Sequence, residues 1–132
     1  MRRDDEVEAI AMDVVMRYER SRGWTPIDVH SDGEHYDIRS ESPTGEKRCI
    51  EVKGRATSGA IIVTGAEVEK LAQLGDRGWL YVVTFCKAAR PKLRLIEDPI
   101  AQLGPKMLYR QVQYLVEEAA WSSKGEEVVF GP

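Results

Sequence analysis

Asp37, Glu51 and Lys53 bring two carboxylates and an ammonium into one short stretch of this 132-residue chain, the set that a Mg²⁺-dependent phosphodiester-cleaving site needs. They fall within Tyr36 to Arg55, reading YDIRSESPTGEKRCIEVKGR, where two runs with alternating apolar residues flank the turn-forming cluster Ser42-Pro43-Thr44-Gly45. That pattern predicts a β-hairpin. Alternation places Tyr36 and Ile38 on one face of the first arm, with Asp37 and Arg39 on the other. In the second arm Ile50 and Val52 form the apolar face, and Cys49, Glu51 and Lys53 point the opposite way. If both apolar faces pack on one core, Asp37, Glu51 and Lys53 emerge together on the far side. A hard cation such as Mg²⁺ takes one or two carboxylates plus waters and phosphate oxygens. Asp37 and Glu51 could supply the carboxylates, and the Val52 backbone carbonyl a third ligand. Lys53 could orient or help deprotonate an attacking water, or neutralise charge on a phosphorane. The plainer alternative is a cross-strand ion pair on an exposed sheet face, worth about 0.5 kcal/mol, and spacing by itself favours it.

The elements that must position these residues follow from periodicity. Residues 5–22 carry Val7, Ile10, Ala11, Val14, Val15 and Tyr18 at helical spacing, with Asp5 and Glu8 as a capping box and Gly23 as the stop. Ile27 to His30 reads as a short strand before the turn Ser31-Asp32-Gly33. After the hairpin come a small, flexible connection, a β-branched strand at Ala60 to Val63, and a second capping box, Thr64 to Glu67, opening a helix that stops at Gly75. Trp79 to Cys86, WLYVVTFC, lacks solvent-facing alternation and predicts a central strand covered on both faces. Lys92 to Ile96 alternates as an edge or half-exposed strand, ended by Asp98-Pro99. Met107 to Ala120 fits helix and strand alike; a strand turning into a short helix near Glu117 is the expectation. The tail from Ser122 is polar and expected to be loosely held. This order predicts an α/β fold, in the sense of an α+β mixed sheet flanked by helices, in a single domain spanning 1–132. Its core would cover about 5–100, with a C-terminal extension over 101–132.

Composition bounds the rest. A net charge of −3 argues against whole-surface nucleic-acid binding and requires any such site to be a local basic patch. Two cysteines in apolar runs make neither a disulfide framework nor a zinc site, which points to reduced thiols and a cytoplasmic setting. No window approaches the roughly 20 apolar residues of a membrane span.

A helix, strands, D-x13-E-x-K across a hairpin and a helix after the lysine strand resemble the core of the PD-(D/E)XK nuclease superfamily. More narrowly, YERSRGW, YDIRS, IEVKGRA, TGAEVEKLAQLGDRGWLYVV and LRLIEDP resemble the C-terminal domain family of NO VEIN and its prokaryotic relatives, over about Glu6 to Pro99. The resemblance implies a restriction-endonuclease-like fold, often attached to helicase-type ATPases or found in restriction and defence systems. Relatives sometimes only bind, but the intact D…E-x-K set favours an active site. Superfamily members often bring a first-helix carboxylate to the metal, which makes Glu8 a possible ligand beside its capping role. A recurrent acidic residue falls at Glu67, where the cap is the preferred reading. Glu19 and Asp13 read as solvated helix residues.

Arg55, in a Gly-flanked loop, could hold a phosphate, with Arg39, Lys47 and Arg48 extending a basic strip along one side of the hairpin. Arg90, Lys92 and Arg94 read as surface charge. His30, His35 and Cys49 match no nucleophile pattern. The functional expectation is a Mg²⁺- or Mn²⁺-dependent DNA endonuclease of a restriction, defence or repair type. Its alternative is an inactive nucleic-acid-binding or docking module of a larger helicase or restriction complex. A homodimer is possible, using Met107 to Trp121 as its surface.

Overall fold

The apolar stripe of the first helix finds its partner in the middle of a sheet. In the computed structural model, which describes residues 5–110 and 113–131, α1 (Asp5–Ser21) buries Val7, Ala11, Val14, Val15 and Tyr18 against Ile38, Ile50, Tyr81, Val83, Leu93 and Leu95. The cap expected of Asp5 and Glu8 falls at the edge of the described residues. Glycine at position 23, with φ +81°, lets the chain leave the helix, and its N–H donates to the Arg20 carbonyl at 3.0 Å.

β1 (Thr25–Asp28) starts two residues earlier than periodicity suggests and pairs antiparallel with β2 (Ile38–Glu41). β2 and β3 (Lys47–Gly54) form the expected hairpin, in register Ile38 to Ile50. Its turn is closed by the Ser42 hydroxyl, which accepts the Glu46 N–H at 3.0 Å. Residues 31–37 form turns and bends, with His35 at φ +64°, so Tyr36 lies outside the strand. It therefore does not share a face with Ile38. Tyr36 packs with Val29 and Cys49 on the other layer.

From β3 the chain passes through β4 (Ile61–Thr64) and α2 (Gly65–Leu74) before β5 (Gly78–Thr84) returns parallel to β3. β5 is the covered central strand expected. Tyr81 and Val83 face α1, whereas Leu80 and Val82 join a second core with Leu71 of α2. β6 (Lys92–Glu97) pairs antiparallel with β5. The Asp98-Pro99 break leads into α3 (Pro99–Leu103).

The C-terminal part departs most from expectation. β7 (Leu108–Arg110) and β8 (Gln113–Val116) build a three-stranded sheet with β4, and α4 (Glu118–Trp121) follows. A strand turning into a helix near Glu117 is thus found, although residues 111 and 112 lie outside the described residues. Val116, Ala120 and Trp121 are buried in the second core, so these side chains are not available as a dimer surface. The tail, expected to be loosely held from Ser122, is held over Glu126–Val128. β9 (Glu126–Val128) adds the sixth strand, giving the order β1-β2-β3-β5-β6-β9. Three residues are too few to display an alternation, and β9 is held by main-chain pairing and by Arg94, which donates to Glu127 at 3.0 Å. A Cβ at Gly125 would lie 2.1 Å from the Leu95 carbonyl oxygen, so the approach of β9 to β6 needs glycine there. Among the described residues no helix is long and apolar enough to cross a membrane.

Candidate active site

Where β2 ends, Asp37 takes over the bonding of a strand. The β2–β3 ladder stops at Ile38 and Ile50, so Val52 has no residue of β2 opposite it. The Asp37 carboxylate fills that place, accepting the Val52 N–H at 2.8 Å. The N–H and C=O of a strand residue point to the same side, so the Val52 carbonyl also turns towards Asp37 rather than β5. One residue to either side, Glu51 and Lys53 project to the α2 side of the sheet, beside Leu80 and Val82 of β5.

Lys53 is clasped by two carboxylates. Its Nζ lies 3.1 Å from Glu51 Oε2 and 2.8 Å from Glu67 Oε1. Glu67 sits in the first turn of α2 and completes the capping box read from its spacing: the Thr64 hydroxyl accepts the Glu67 N–H at 3.2 Å, and Glu67 Oε1 accepts the Thr64 N–H at 2.8 Å. The cap is real, and the same oxygen also holds Lys53.

Charge balance shapes this cluster. Glu51 is 2% exposed, and burial, reinforced by the neighbouring Asp37 and Glu67 charges and opposed by Lys53, pushes its carboxyl well above the ordinary range. Burial also raises Asp37, against the Val52 N–H and Lys53, which favour its anion. Burial alone would lower Lys53, but Glu51 and Glu67 hold it above the ordinary lysine range, so it is an ammonium. Burial would raise Glu67 too; the Lys53 ammonium outweighs that and keeps Glu67 below the usual carboxylate range. Three carboxylates around one ammonium carry an excess of buried negative charge, a situation that a divalent cation reverses.

The donor set suits such a cation. Two carboxylates and a carbonyl are hard oxygens, in the number that Mg²⁺ commonly takes from protein. Among the described residues no three His, Cys, Asp or Glu side chains gather as a metal-holding group. Glu8 is exposed on α1 and is not brought into such a group; the carboxylate that a helix does contribute is Glu67, directed at Lys53.

The basic strip divides. Arg39 and Lys47 lie on the Glu51 face but towards the hairpin tip. Arg48, one residue on, faces α1, because successive side chains alternate. Its guanidinium lies 4.5 Å from the Trp24 ring and 4.0 Å from the Trp79 ring, and donates to the Tyr81 hydroxyl at 2.7 Å. It is therefore engaged in the core and does not extend the strip. Tyr81 in turn donates to Glu19 at 2.7 Å, and Glu19 is fully buried rather than solvated. Helical phase could have found it, since position 19 continues the stripe through Ala11 and Val15. Arg94 is likewise bound to Glu127 and to the Lys124 carbonyl. Arg55 is exposed.

Residues 7–96 match the family described as Protein NO VEIN, C-terminal. The chain is also similar to the 1.6 Å structure of Archaeoglobus fulgidus Hjc, a Holliday junction resolvase from an archaeal hyperthermophile. Identity is 20% and the TM-score 0.57, over 86% of this chain and 94% of that one. At that identity the likeness speaks for the fold alone: a restriction-endonuclease-like mixed sheet flanked by helices. No curated protein matches the chain.

Proposed function

The chain belongs to the NO VEIN C-terminal family, and from the charge cluster its fold assembles we propose that it is a divalent-metal-dependent DNA endonuclease serving restriction, defence or repair. One observation carries this reading: Asp37, just before β2 and accepting the Val52 N–H, stands beside Glu51 and Val52 of β3 and a lysine held as an ammonium. When bound, Mg²⁺ or Mn²⁺ would lower the pKa of a water and offset charge on the phosphate. Asp37, Glu51 and the Val52 carbonyl are the groups that would hold it, with Asp37 oriented by the Val52 N–H.

Lys53 has three N–H donors, two of them directed at Glu51 and Glu67. The third is available to a phosphate oxygen as negative charge develops there. As an ammonium it neutralises charge and orients; it has no lone pair with which to deprotonate water. Glu67 is a positioning residue, which holds the ammonium from the first turn of α2 while Glu51 holds it from β3. Pairing of two copies to cut both strands, a cytoplasmic setting and service to a helicase-type ATPase or restriction subunit belong to the same proposal.

The chain's net charge of −3 favours a second reading, a non-cleaving docking module in a larger complex. Calorimetric titration with Mn²⁺ separates the two. Under the endonuclease reading the wild type binds, and Asp37→Asn weakens binding by about 10-fold or more, since it removes a ligand charge yet keeps an oxygen for the Val52 N–H. A wild type that takes up no Mn²⁺ and cuts neither plasmid nor linear DNA returns the protein to the docking reading.

Glu67 has its own test. Glu67→Gln keeps an oxygen for the Thr64 N–H and so preserves the cap, but removes the negative charge beside Lys53. It is expected to melt close to the wild type and to cut DNA about 10–100-fold more slowly. Glu67→Ala loses the cap as well and about 1 kcal/mol of stability. Wild-type cleavage rates in Glu67→Gln would leave Glu67 as a cap and nothing more.

A further inference from the structure

We propose that the loops following the two parallel strands, residues 55–59 and 85–91, with the first residue of β6, form the surface on which the DNA backbone lies, with Arg55, Lys87, Arg90 and Lys92 contacting phosphates that flank the cut. This rests on the endonuclease reading and names the part of the molecule that holds its substrate.

The placement follows from topology. β3 and β5 run in the same direction, so the loops after them leave the sheet at one end, the end where parallel strands commonly collect ligands. The two loops are joined through their backbones. The Arg55 N–H donates to the Val83 carbonyl at 2.9 Å, the Cys86 N–H to the Arg55 carbonyl at 3.1 Å, and the Phe85 N–H to the Thr57 carbonyl at 2.9 Å. Phe85 has φ +54°, a conformation rare for a side chain of its size, and its bond to Thr57 helps to hold the second loop in that shape.

Distance separates this surface from the hairpin. Arg55 follows Lys53 by two residues, about 7 Å at the rise of a strand, whereas Lys47 precedes it by six, about 20 Å in the other direction. A DNA strand carries one phosphate per roughly 3.4 Å of helix axis. A strand whose scissile phosphate meets Lys53 therefore has its next few phosphates at the loops, while the hairpin tip is some six phosphates away.

Charge agrees. Segments 54–60 and 85–92 hold four cations and no carboxylate of their own, in a chain of net charge −3; from other elements Glu6 faces Lys87, and Glu118 and Glu127 lie beside Ser58, Phe85 and Lys92. All four cations are exposed. Lys87 lies 3.7 Å from Glu6, both side chains being about half exposed or more, an ion pair of the weak surface kind. Arg55 spends one nitrogen on the Ser58 carbonyl, at a long 3.4 Å, and keeps its other donors. Arg94 is excluded because its guanidinium is bonded to Glu127 and the Lys124 carbonyl.

Fluorescence anisotropy with a labelled DNA duplex, with Ca²⁺ present so that DNA is held uncut, tests the surface across a series of salt concentrations. The comparison is between wild type, the triple variant Lys87→Gln/Arg90→Gln/Lys92→Gln, and the hairpin pair Arg39→Gln/Lys47→Gln. All five positions are exposed, and thermal melts establish that both variants fold. The triple variant is expected to lose about 10–100-fold in affinity, with its log–log salt slope shallower by about 2–3, and the hairpin pair to track the wild type. A triple variant that binds as the wild type does, or a hairpin pair that loses as much, overturns the proposed surface while leaving the endonuclease reading intact. A wild type that neither binds nor cuts DNA overturns both.

Discussion

Under the proposed endonuclease reading, Lys53→Ala is expected to leave a folded protein that still takes up Mn²⁺ and to cut DNA at least about 10³-fold more slowly than the wild type. The size of the expected loss comes from where the ammonium sits. It is the cation that faces three carboxylates, bonded to Glu51 at 3.1 Å and to Glu67 at 2.8 Å, and is 19% exposed. Water therefore screens it less than an exposed lysine, and its charge acts more strongly on a phosphate that enters. Its removal takes away the donor for the developing negative charge and leaves Glu51 and Glu67 facing each other unpaired. The oxygens of Asp37, Glu51 and Val52 proposed to hold the metal are untouched by the substitution, so calorimetry is expected to find Mn²⁺ binding retained or strengthened while plasmid nicking is lost. Equal nicking by Lys53→Ala and wild type would remove Lys53 from the catalytic set. Loss of both nicking and Mn²⁺ binding would instead mark it as a structural clamp.

Glu19→Ala is expected to destabilise the fold by about 3–5 kcal/mol, the range for breaking a buried charged network by removing one partner. Glu19 is fully buried on α1, accepts the Tyr81 hydroxyl at 2.7 Å and lies 3.7 Å from Arg48, which itself donates to the same hydroxyl. With Trp24 and Trp79 about the guanidinium, these groups join the helix, the hairpin and the central strand. Truncation leaves a cavity, a phenol without its acceptor and a partly buried cation without its counter-charge. Urea denaturation measures the effect; a change under about 1 kcal/mol would mean that the surrounding packing, not this network, holds α1 to the sheet. Glu19→Gln, which keeps an oxygen for Tyr81, should lose less.

The same network has a signature in alkali. Burial, then the adjacent Glu19 carboxylate, pushes the Tyr81 phenol well above the ordinary tyrosine range. Below about pH 10 the folded and unfolded chains hold this proton equally. Above it the unfolded phenol ionises while the folded one stays protonated, so stability falls by about 1.4 kcal/mol per pH unit on account of this group. Tyr81→Phe should flatten that decline.

Local pattern made most elements legible. The stripe of α1, the capping box at Thr64 to Glu67, the turn at Ser42 to Gly45 and the unbroken apolar run of β5 all carry their signals within a few neighbouring residues. Strand alternation by itself placed Glu51 and Lys53 on one face. β7 and β9 are too short to show a period, and residues 31–37 bend where two apolar positions suggested a strand.

Most of the elements and the shared face of Glu51 and Lys53 follow from periods of two and 3.6 residues along a continuous chain, and so are set locally. Only the tertiary structure decided that Glu67 reaches Lys53 across 14 positions, that Glu19 meets Tyr81 across 62, and that Arg48 turns into the core while Arg55 stays at the surface. A carboxylate in a first helical turn has the same local pattern whether it faces water or an ammonium; what differs is the strand that the parallel β3–β5 crossover lays beside it.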